Sequence, residues 1–361
     1  MTSGCSQPYQ QPYPRVLCIV ALKRCGCHNK RVEHLNIRCS IIGQLDIGVI
    51  ISCNFSMKLG CSQCYSQPYP RILCKTAYNS IMTRLSPTQI HRTRQLAERA
   101  AACALSYYQS DYEITIKSDE SPVTQADLAV SELLEKHLPA IADFPVLSEE
   151  SQPEQPLWTG WETYWLIDPI DGTKHFINRT GDFCVCIALI HRNQAVFGLI
   201  IAPTTGALWL AQTADEDNDM LLEKYQNGQA VPMPTDRPEK PIVALSTKTL
   251  SKRMSILLAA LPAYDWYNRG SALKYIDIAE GKASLYPKMW DTCEWDSAAG
   301  QCILACAGGG VMRFDTRDTI HYGKSASLIN PHFFAYRDLS DETLVALCEC
   351  YPQAVIHPRD C

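Results

Sequence analysis

Trp165-Leu166-Ile167-Asp168-Pro169-Ile170-Asp171-Gly172-Thr173-Lys174-His175-Phe176 decides the fold. An apolar strand runs straight into two carboxylates three residues apart. Pro169 keeps the strand from continuing as helix, and Gly172 lets the backbone approach a ligand closely. Asp168 and Asp171 can then converge on hard cations, which take oxygen ligands. Thr173 and the N–H groups after it can open a helical turn, a natural seat for phosphate. On spacing alone, an ordinary Asp-Pro/Asp-Gly turn fits equally well.

Three more acidic sites lie outward from this stretch. Val146-Leu-Ser-Glu149-Glu150 places adjacent carboxylates just after a short strand. Ser121-Pro-Val-Thr124-Gln-Ala-Asp127 opens a helix expected over 125–137, and Trp295-Asp296-Ser-Ala-Ala-Gly300 opens another over 296–307. Each, taken alone, suits a solvated loop or a helix cap. Together they put four acidic sites at strand ends and helix starts, where loops converge on one face of an α/β layer. Carboxylates gathered there repel one another unless cations neutralise them.

The pattern around these sites is mixed. Ser86-Pro87 starts a helix whose stripe includes Leu96, Ala97, Ala100 and Ala104. Short strands are expected at 144–147 and 164–167. Residues 183–191 and 195–201 read as consecutive antiparallel strands turning at Arg192-Asn193, and 207–211 continues the meander. Residues 213–237 read as a surface excursion, 242–246 as a strand, 251–261 as a helix and 284–286 as a short strand. This order predicts layered α/β packing with substantial antiparallel sheet. Cys184 and Cys186, inside an apolar run, look like buried free thiols in a reducing compartment.

The chain has 361 residues and a net charge of -5, which excludes a globally basic nucleic-acid binder. That average hides an asymmetry. Residues 1–81 hold nine Lys and Arg against two Asp and Glu, and nine of the 18 cysteines. Gly4–Cys18 returns as Gly60–Cys74 with 12 of 15 positions identical. Three readings compete for this segment: an extension outside the natural product, which would start at Met82; a targeting or anchor segment around Ile41–Cys53; and a zinc site from Cys25, Cys27, Cys61 and Cys64. The expected organisation is an extension over 1–81 and a catalytic domain over 82–361, the latter in two subdomains of about 82–240 and 241–361.

At its acidic residues the sequence resembles the lithium-sensitive phosphatases of the inositol monophosphatase superfamily. Asp168-Pro-Ile-Asp171-Gly-Thr matches that superfamily's first signature, and Trp295-Asp296-Ser-Ala-Ala-Gly followed by Gly308-Gly-Gly310 resembles the second. Within it, Val146-Leu-Ser-Glu-Glu150, Asp171-Gly-Thr-Lys-His-Phe176, Gly270-Ser-Ala-Leu-Lys274 and Leu328-Ile-Asn-Pro331 resemble the bacterial bisphosphate nucleotidases.

The resemblance implies an alternating αβαβα layered sandwich with mixed and antiparallel sheets. It also implies magnesium-dependent hydrolysis of 3'-phosphoadenosine 5'-phosphate to AMP and phosphate, which clears a by-product of sulfate activation. Two or three Mg2+ per site are expected on Glu149, Asp168, the Ile170 carbonyl, Asp171 and Asp296, with inhibition by Li+. Thr173, backed by Asp127 or Glu149, would orient or deprotonate the attacking water. Gly172, Thr173, Ser271, Lys274 and Asp296 would face the substrate. The expected partner is a small nucleotide, not a nucleic acid. The expected location is cytoplasmic, with peripheral association at the inner face of the cell membrane left open.

Two departures matter. Trp290-Asp291 repeats the Trp-Asp pair five residues before Trp295-Asp296, so Asp291 competes with Asp296; the helix that follows favours Asp296. Ala272 stands where the family often has serine. An inositol or sugar monophosphatase with the same metal site, and a catalytically dead scaffold with this fold, are the competing functions.

Overall fold

The computed structural model describes residues 84–110, 114–116, 122–215, 218–234 and 237–356, together with strands at 35–45, 48–57 and 74–75. The chain divides into two compact units, Met1–Ser80 and Ile81–Cys361. In the first, β1 (Leu35–Leu45), β2 (Gly48–Met57) and β3 (Cys74–Lys75) form an antiparallel sheet in that order. The run weighed as an anchor is thus divided between β1 and β2. Among the described residues no helix is long and apolar enough to cross a membrane. Cys25, Cys27, Cys61 and Cys64, weighed as a zinc site, and most of the internal repeat lie outside the described residues.

The second unit begins with α1 (Pro87–Tyr108). Ser86 Oγ accepts from Gln89 N, and Gln89 Oε1 accepts from Ser86 N, a capping box at the predicted start. A hairpin of β4 (Ile114–Ile116) and β5 (Pro122–Thr124) leads directly into α2 (Gln125–His137), whose bounds are those predicted.

The large sheet holds β6 (Val146–Ser148), β7 (Thr163–Asp171), β8 (Cys184–His191), β9 (Gln194–Ala202), β10 (Ala207–Gln212), β11 (Leu221–Gln226) and β12 (Gln229–Val231) as sequential neighbours. Only β6 and β7 pair in parallel. At the β8–β9 turn, Arg192 and Asn193 both have positive φ, 48° and 65°, as a two-residue hairpin of matching twist requires. One expectation fails here. The excursion read at 213–237 contains β11 and β12, whose residues are half-buried or exposed and carry no clear apolar period.

The short helix α3 (Thr173–Ile177) follows β7. The smaller sheet comprises β13 (Ile242–Leu245), β14 (Asp265–Asn268), β15 (Leu285–Lys288), β16 (Gly310–Arg313) and β17 (Phe333–Tyr336), in the order β14-β13-β15-β17-β16. Four more helices are α4 (Lys252–Leu258), α5 (Leu273–Ala279), α6 (Trp295–Cys306) and α7 (Asp341–Ile356).

Three cores hold these pieces in layers. Val185, Ile187 and Leu189 of β8 pack with Leu96 and Ala100 of α1 and Val130 of α2. Cys184, Cys186, Ala188 and Ile190, on the opposite face, pack with α5, α6 and the second sheet through Tyr275, Ala299 and Phe333. Val243, Leu245 and Phe334 turn the far side of the smaller sheet to Leu257 of α4 and Leu347 of α7. The order is therefore helices, sheet, helices, sheet, helices, the expected αβαβα sandwich. With both faces of β8 covered, its run is apolar throughout rather than alternating. A side chain at Gly198 of β9 would collide with the Ala299 carbonyl of α6, so this glycine sets how closely α6 lies on the large sheet.

Candidate active site

The end of β7 departs from regular pairing at its two acidic residues. Its register against β8 shifts between Asp168 and Asp171. Such a bulge re-aims side chains that a regular strand would send to alternate faces. Asp168 is 1% exposed, and its Oδ1 accepts from Ile170 N at 3.0 Å. Asp171 is half-buried and its Oδ2 accepts a short hydrogen bond from Ala272 N. Gly172 then takes φ 96°, and a Cβ there would sit 3.0 Å from Asp182 O and 3.2 Å from Ser271 Cβ. Both the left-handed conformation and the close approach require glycine.

Thr173 opens α3 with its hydroxyl 3.2 Å from both Asp127 Oδ1 and the Ile170 carbonyl. One hydroxyl proton can serve only one of them at a time. Asp127, 1% exposed, uses its other oxygen to accept from Thr124 N at 2.8 Å and Thr124 Oγ1 at 2.6 Å. Asp127 is therefore both the N3 partner of the N-cap Thr124 in the capping box of α2 and a partner of Thr173.

Glu149 follows β6, its N–H donating to Ile167 O of β7. Asp296 lies in the first turn of α6, its Oδ2 accepting from Cys293 N at 2.9 Å and from Thr292 Oγ1. Ligand-capable oxygens of Glu149, Asp168 and Asp296 all lie within 4.8 Å of one another. Asp291 is exposed and is not in that group. Asp171 belongs to a second group, with Cys184 and Cys186.

Ser271 and Lys274 belong to the loop and first turn of α5 that meet the β7 turn. Ser271 adopts φ 53° in the loop before α5. Lys274 is 3% exposed, so it is not a surface lysine; its Nζ donates to Ser271 O at 2.6 Å and Arg269 O at 3.3 Å. Asp182 ties this loop down by accepting from Arg269 Nη1 at 2.6 Å and Gly270 N at 3.1 Å.

The electrostatics show why the acids need company. Burial, then Glu149, Asp171 and Asp296, push Asp168 well above the usual carboxylate range. Asp171 is pushed up to about 7 by burial and by Asp296, against the lowering influence of Lys274. Lys274 is pushed down to about 8 by burial, partly offset by Asp171. Half-buried Lys288, at the end of β15, is likewise lowered by burial and held up by Asp296 and Asp171.

Sequence reasoning missed Asp182 and Lys288. Lys288 ends a strand in Tyr286-Pro287-Lys288, and nothing in that tripeptide tells which way its charge points. Asp182 sits in Thr180-Gly181-Asp182, a plain turn signal.

Asp168, buried and pushed upward with Glu149, Asp171 and Asp296 around it, and oxygen as the only donor type in the Glu149–Asp168–Asp296 group fit a hard divalent cation. Ile170 O, accepting only from a hydroxyl that can turn to Asp127, remains available as a main-chain oxygen donor.

Comparison with known proteins gives the same region a wider frame. The model of the inositol monophosphatase family matches residues 87–351. A Buchnera aphidicola protein named 3'(2'),5'-bisphosphate nucleotidase CysQ is 34% identical over 246 residues, covering 67% of this chain and 91% of that protein. The protein of that name from Salmonella typhimurium is 35% identical over 242 residues, covering 66% and 96%. Among solved structures, CysQ from Bacteroides thetaiotaomicron superposes with a TM-score of 0.60 at 28% identity, covering 71% of this chain and all of that one. An IMPase from Thermotoga maritima, at 19% identity and a TM-score of 0.57, shares the fold.

Proposed function

The chain belongs to the inositol monophosphatase family, and from that premise we propose that it is a 3'(2'),5'-bisphosphate nucleotidase. It removes the 3'-phosphate of 3'-phosphoadenosine 5'-phosphate, leaving AMP and phosphate, and so clears a by-product of sulfate activation. The observation that carries this reading is the meeting of Glu149, Asp168 and Asp296 within 4.8 Å, with the Thr173–Asp127 contact behind them. The nucleotidase names of the relatives at 34–35% identity support the choice of substrate.

Glu149, Asp168, Asp171, Asp296 and the Ile170 carbonyl would hold two or three Mg2+, and Li+ should inhibit. When bound, these cations supply positive charge at the phosphate and acidify water. The chain's own groups do the rest. Thr173 Oγ1 orients the attacking water and passes a proton to Asp127 Oδ1, whose partner oxygen is already fixed by Thr124; Glu149 is the other base within the acidic group. The N–H groups of Gly172 and Thr173 receive phosphate oxygens.

Ser271 and Lys274, beside the β7 turn, are assigned to the substrate. Two of the three Lys274 N–H donors serve backbone carbonyls, and the third is assigned to a substrate phosphate oxygen. A cation there favours a substrate with a second phosphate over an inositol or sugar monophosphate. Catalysis is assigned to residues 82–361.

The test is phosphate release with magnesium from 3'-phosphoadenosine 5'-phosphate, inositol 1-phosphate and fructose 1,6-bisphosphate in parallel. The first should be turned over with the highest kcat/KM. Preference for inositol 1-phosphate would replace the nucleotidase by the monophosphatase, and release from none would leave the scaffold.

A further inference from the structure

β8 carries Cys184 and Cys186 two residues apart, so the strand's period sets both sulfurs on one face while Val185 turns to the other core. Their Sγ atoms are 3.8 Å apart, and Cys184 Sγ lies 3.9 Å from Asp171 Oδ2. One ligand atom from each of Asp171, Cys184 and Cys186 falls within 4.8 Å of the other two. Both cysteines are free thiols, at most 1% exposed, and the hydrolysis described above has no use for either.

We propose that Asp171, Cys184 and Cys186 form a second cation site, selective for a thiophilic divalent ion such as Zn2+ or Cd2+, and that filling it inhibits the enzyme by taking Asp171 out of the magnesium site. The inhibitory half rests on the function proposed above; the binding half does not.

The spacing fits. With metal–sulfur bonds of about 2.3 Å and metal–oxygen bonds of about 2.1 Å, a tetrahedral ion holds two sulfurs about 3.8 Å apart and a sulfur and an oxygen about 3.6 Å apart. The Cys184–Cys186 and Cys184–Asp171 separations, 3.8 Å and 3.9 Å, differ from these by no more than a few tenths of an ångström, and Asp171 and Cys186 lie within 4.8 Å. Side-chain rotation about two bonds absorbs that difference.

The donors decide the ion. Two sulfurs and a carboxylate prefer a soft or borderline metal, whereas the oxygen-only Glu149–Asp168–Asp296 group prefers a hard one. Asp168 of the oxygen group and Asp171 of the sulfur group flank the same register shift at the end of β7, so filling one group bears on the geometry of the other. Charge and protons balance. Each thiol releases one proton on binding, and two thiolates, one carboxylate and a divalent ion leave a single negative charge. Buried Lys274, which lies within the field of both Asp171 and Cys184, offsets that charge.

The test uses the full chain, reduced and freed of metal, titrated with Cd2+ alone against a competing chelator. The readout is the ultraviolet charge-transfer absorption of cadmium thiolate. Wild type is compared with Cys184→Ala, Cys186→Ala and the double variant, so that signal from the other cysteines cancels in the difference. The expected difference is one equivalent of Cd2+ lost in the double variant, and binding weakened by at least about tenfold in each single variant. Equal stoichiometry and affinity in all four proteins would overturn the site.

Inhibition is read separately, as phosphate release at saturating magnesium with rising Cd2+. Cys186→Ala should keep its turnover and need at least about tenfold more Cd2+ for half-inhibition. Cys186→Ser, which keeps the size of the side chain, replaces it if the alanine variant melts early. Equal sensitivity of wild type and variant would overturn the inhibitory role. A chain that releases phosphate from no substrate would sink the proposed function, while the cadmium titration would still decide the site.

Discussion

The end of β7 and the start of α6 both deliver carboxylates to one place, but by different routes. At β7 the delivery is local. Asp168 accepts from Ile170 N two residues on, the register shift occupies the interval between the two acids, and Gly172 and Thr173 complete the turn. At α6 it is not. Trp290-Asp291 and Trp295-Asp296 are near-copies, and only the packing of α6 on β9 at Gly198 and the Thr292 and Cys293 donors make Asp296 the one that meets Glu149 and Asp168. A motif whose residues hold one another can be read from its own letters. A motif whose place is set by another layer cannot.

The sharpest way to break this comparison is at β7. Asp168→Asn keeps the side chain's shape and its acceptor for Ile170 N but removes the charge. Turnover should fall by at least about a thousandfold, since stabilisation of a developing phosphate charge contributes several kcal/mol. The fold should survive. Relieving the repulsion among Asp168, Glu149 and Asp171 should leave the metal-free melting temperature equal or higher. Activity within tenfold of wild type at saturating magnesium would refute the metal-ligand role.

The α6 side is tested by a paired substitution. Asp296→Asn should cost roughly a hundred- to a thousandfold in kcat/KM, and Asp291→Asn less than about threefold. The reversed order would mean that the exposed member of the pair reaches the site and that the tertiary argument is wrong.

Legibility followed the same division. Thr124 and Asp127 announced α2 because a capping box is built from residues three apart. Asn193, polar and tolerant of positive φ, announced the β8–β9 turn, where Arg192 beside it also takes a positive φ. β11 and β12 were not legible, because the last two strands of the sheet are half open to water and carry no apolar alternation. α7 carries Pro352 within its last turns, a residue that ordinarily argues against helix. In the site, Asp168, Asp171 and Thr173 were named from one continuous stretch. Asp182 and Lys288 act from a turn and a strand end that mean nothing until the loops meet. Cys184 and Cys186 were read as core thiols; that sulfur lies against Asp171 depends on which neighbour the bulge turns toward β8.

Lys274 lies between the two routes, in the first turn of α5, just after the loop that touches the β7 turn through Ala272 and Asp171. Lys274→Ala should lower kcat/KM for the bisphosphate by roughly 10- to 100-fold, as a charge-assisted contact of about 1.5–3 kcal/mol implies. The loss should be much smaller on a nucleoside monophosphate lacking the contacted group, and the magnesium dependence should hardly move. An equal loss on both substrates would mean that the ammonium serves only to hold the Arg269 and Ser271 carbonyls.

The smallest expected effect is on stability, and it isolates the β7 acids. In the metal-free fold Asp171 titrates at about 7, against 3.8 for an ordinary aspartate. An acid raised in the fold binds its proton more tightly there than in the unfolded chain. Its contribution to stability is therefore full below the unfolded value and is lost as pH rises through about 7. Magnesium on the ionised carboxylates, as proposed above, would stabilise only the fold, and its binding would have to displace that proton. The rise in melting temperature on adding saturating magnesium should thus be larger at about pH 8 than at about pH 6, by a few degrees for a domain of this size. Asp171→Asn should shrink the pH dependence of that rise without abolishing the rise itself, because Glu149, Asp168 and Asp296 remain. A magnesium effect equal at both pH values in the wild-type chain would show that the β7 carboxyls are already ionised near pH 6. The repulsion among them would then be relieved by Lys274 and Lys288 rather than by a cation, and the difference between the two regions would be one of geometry alone.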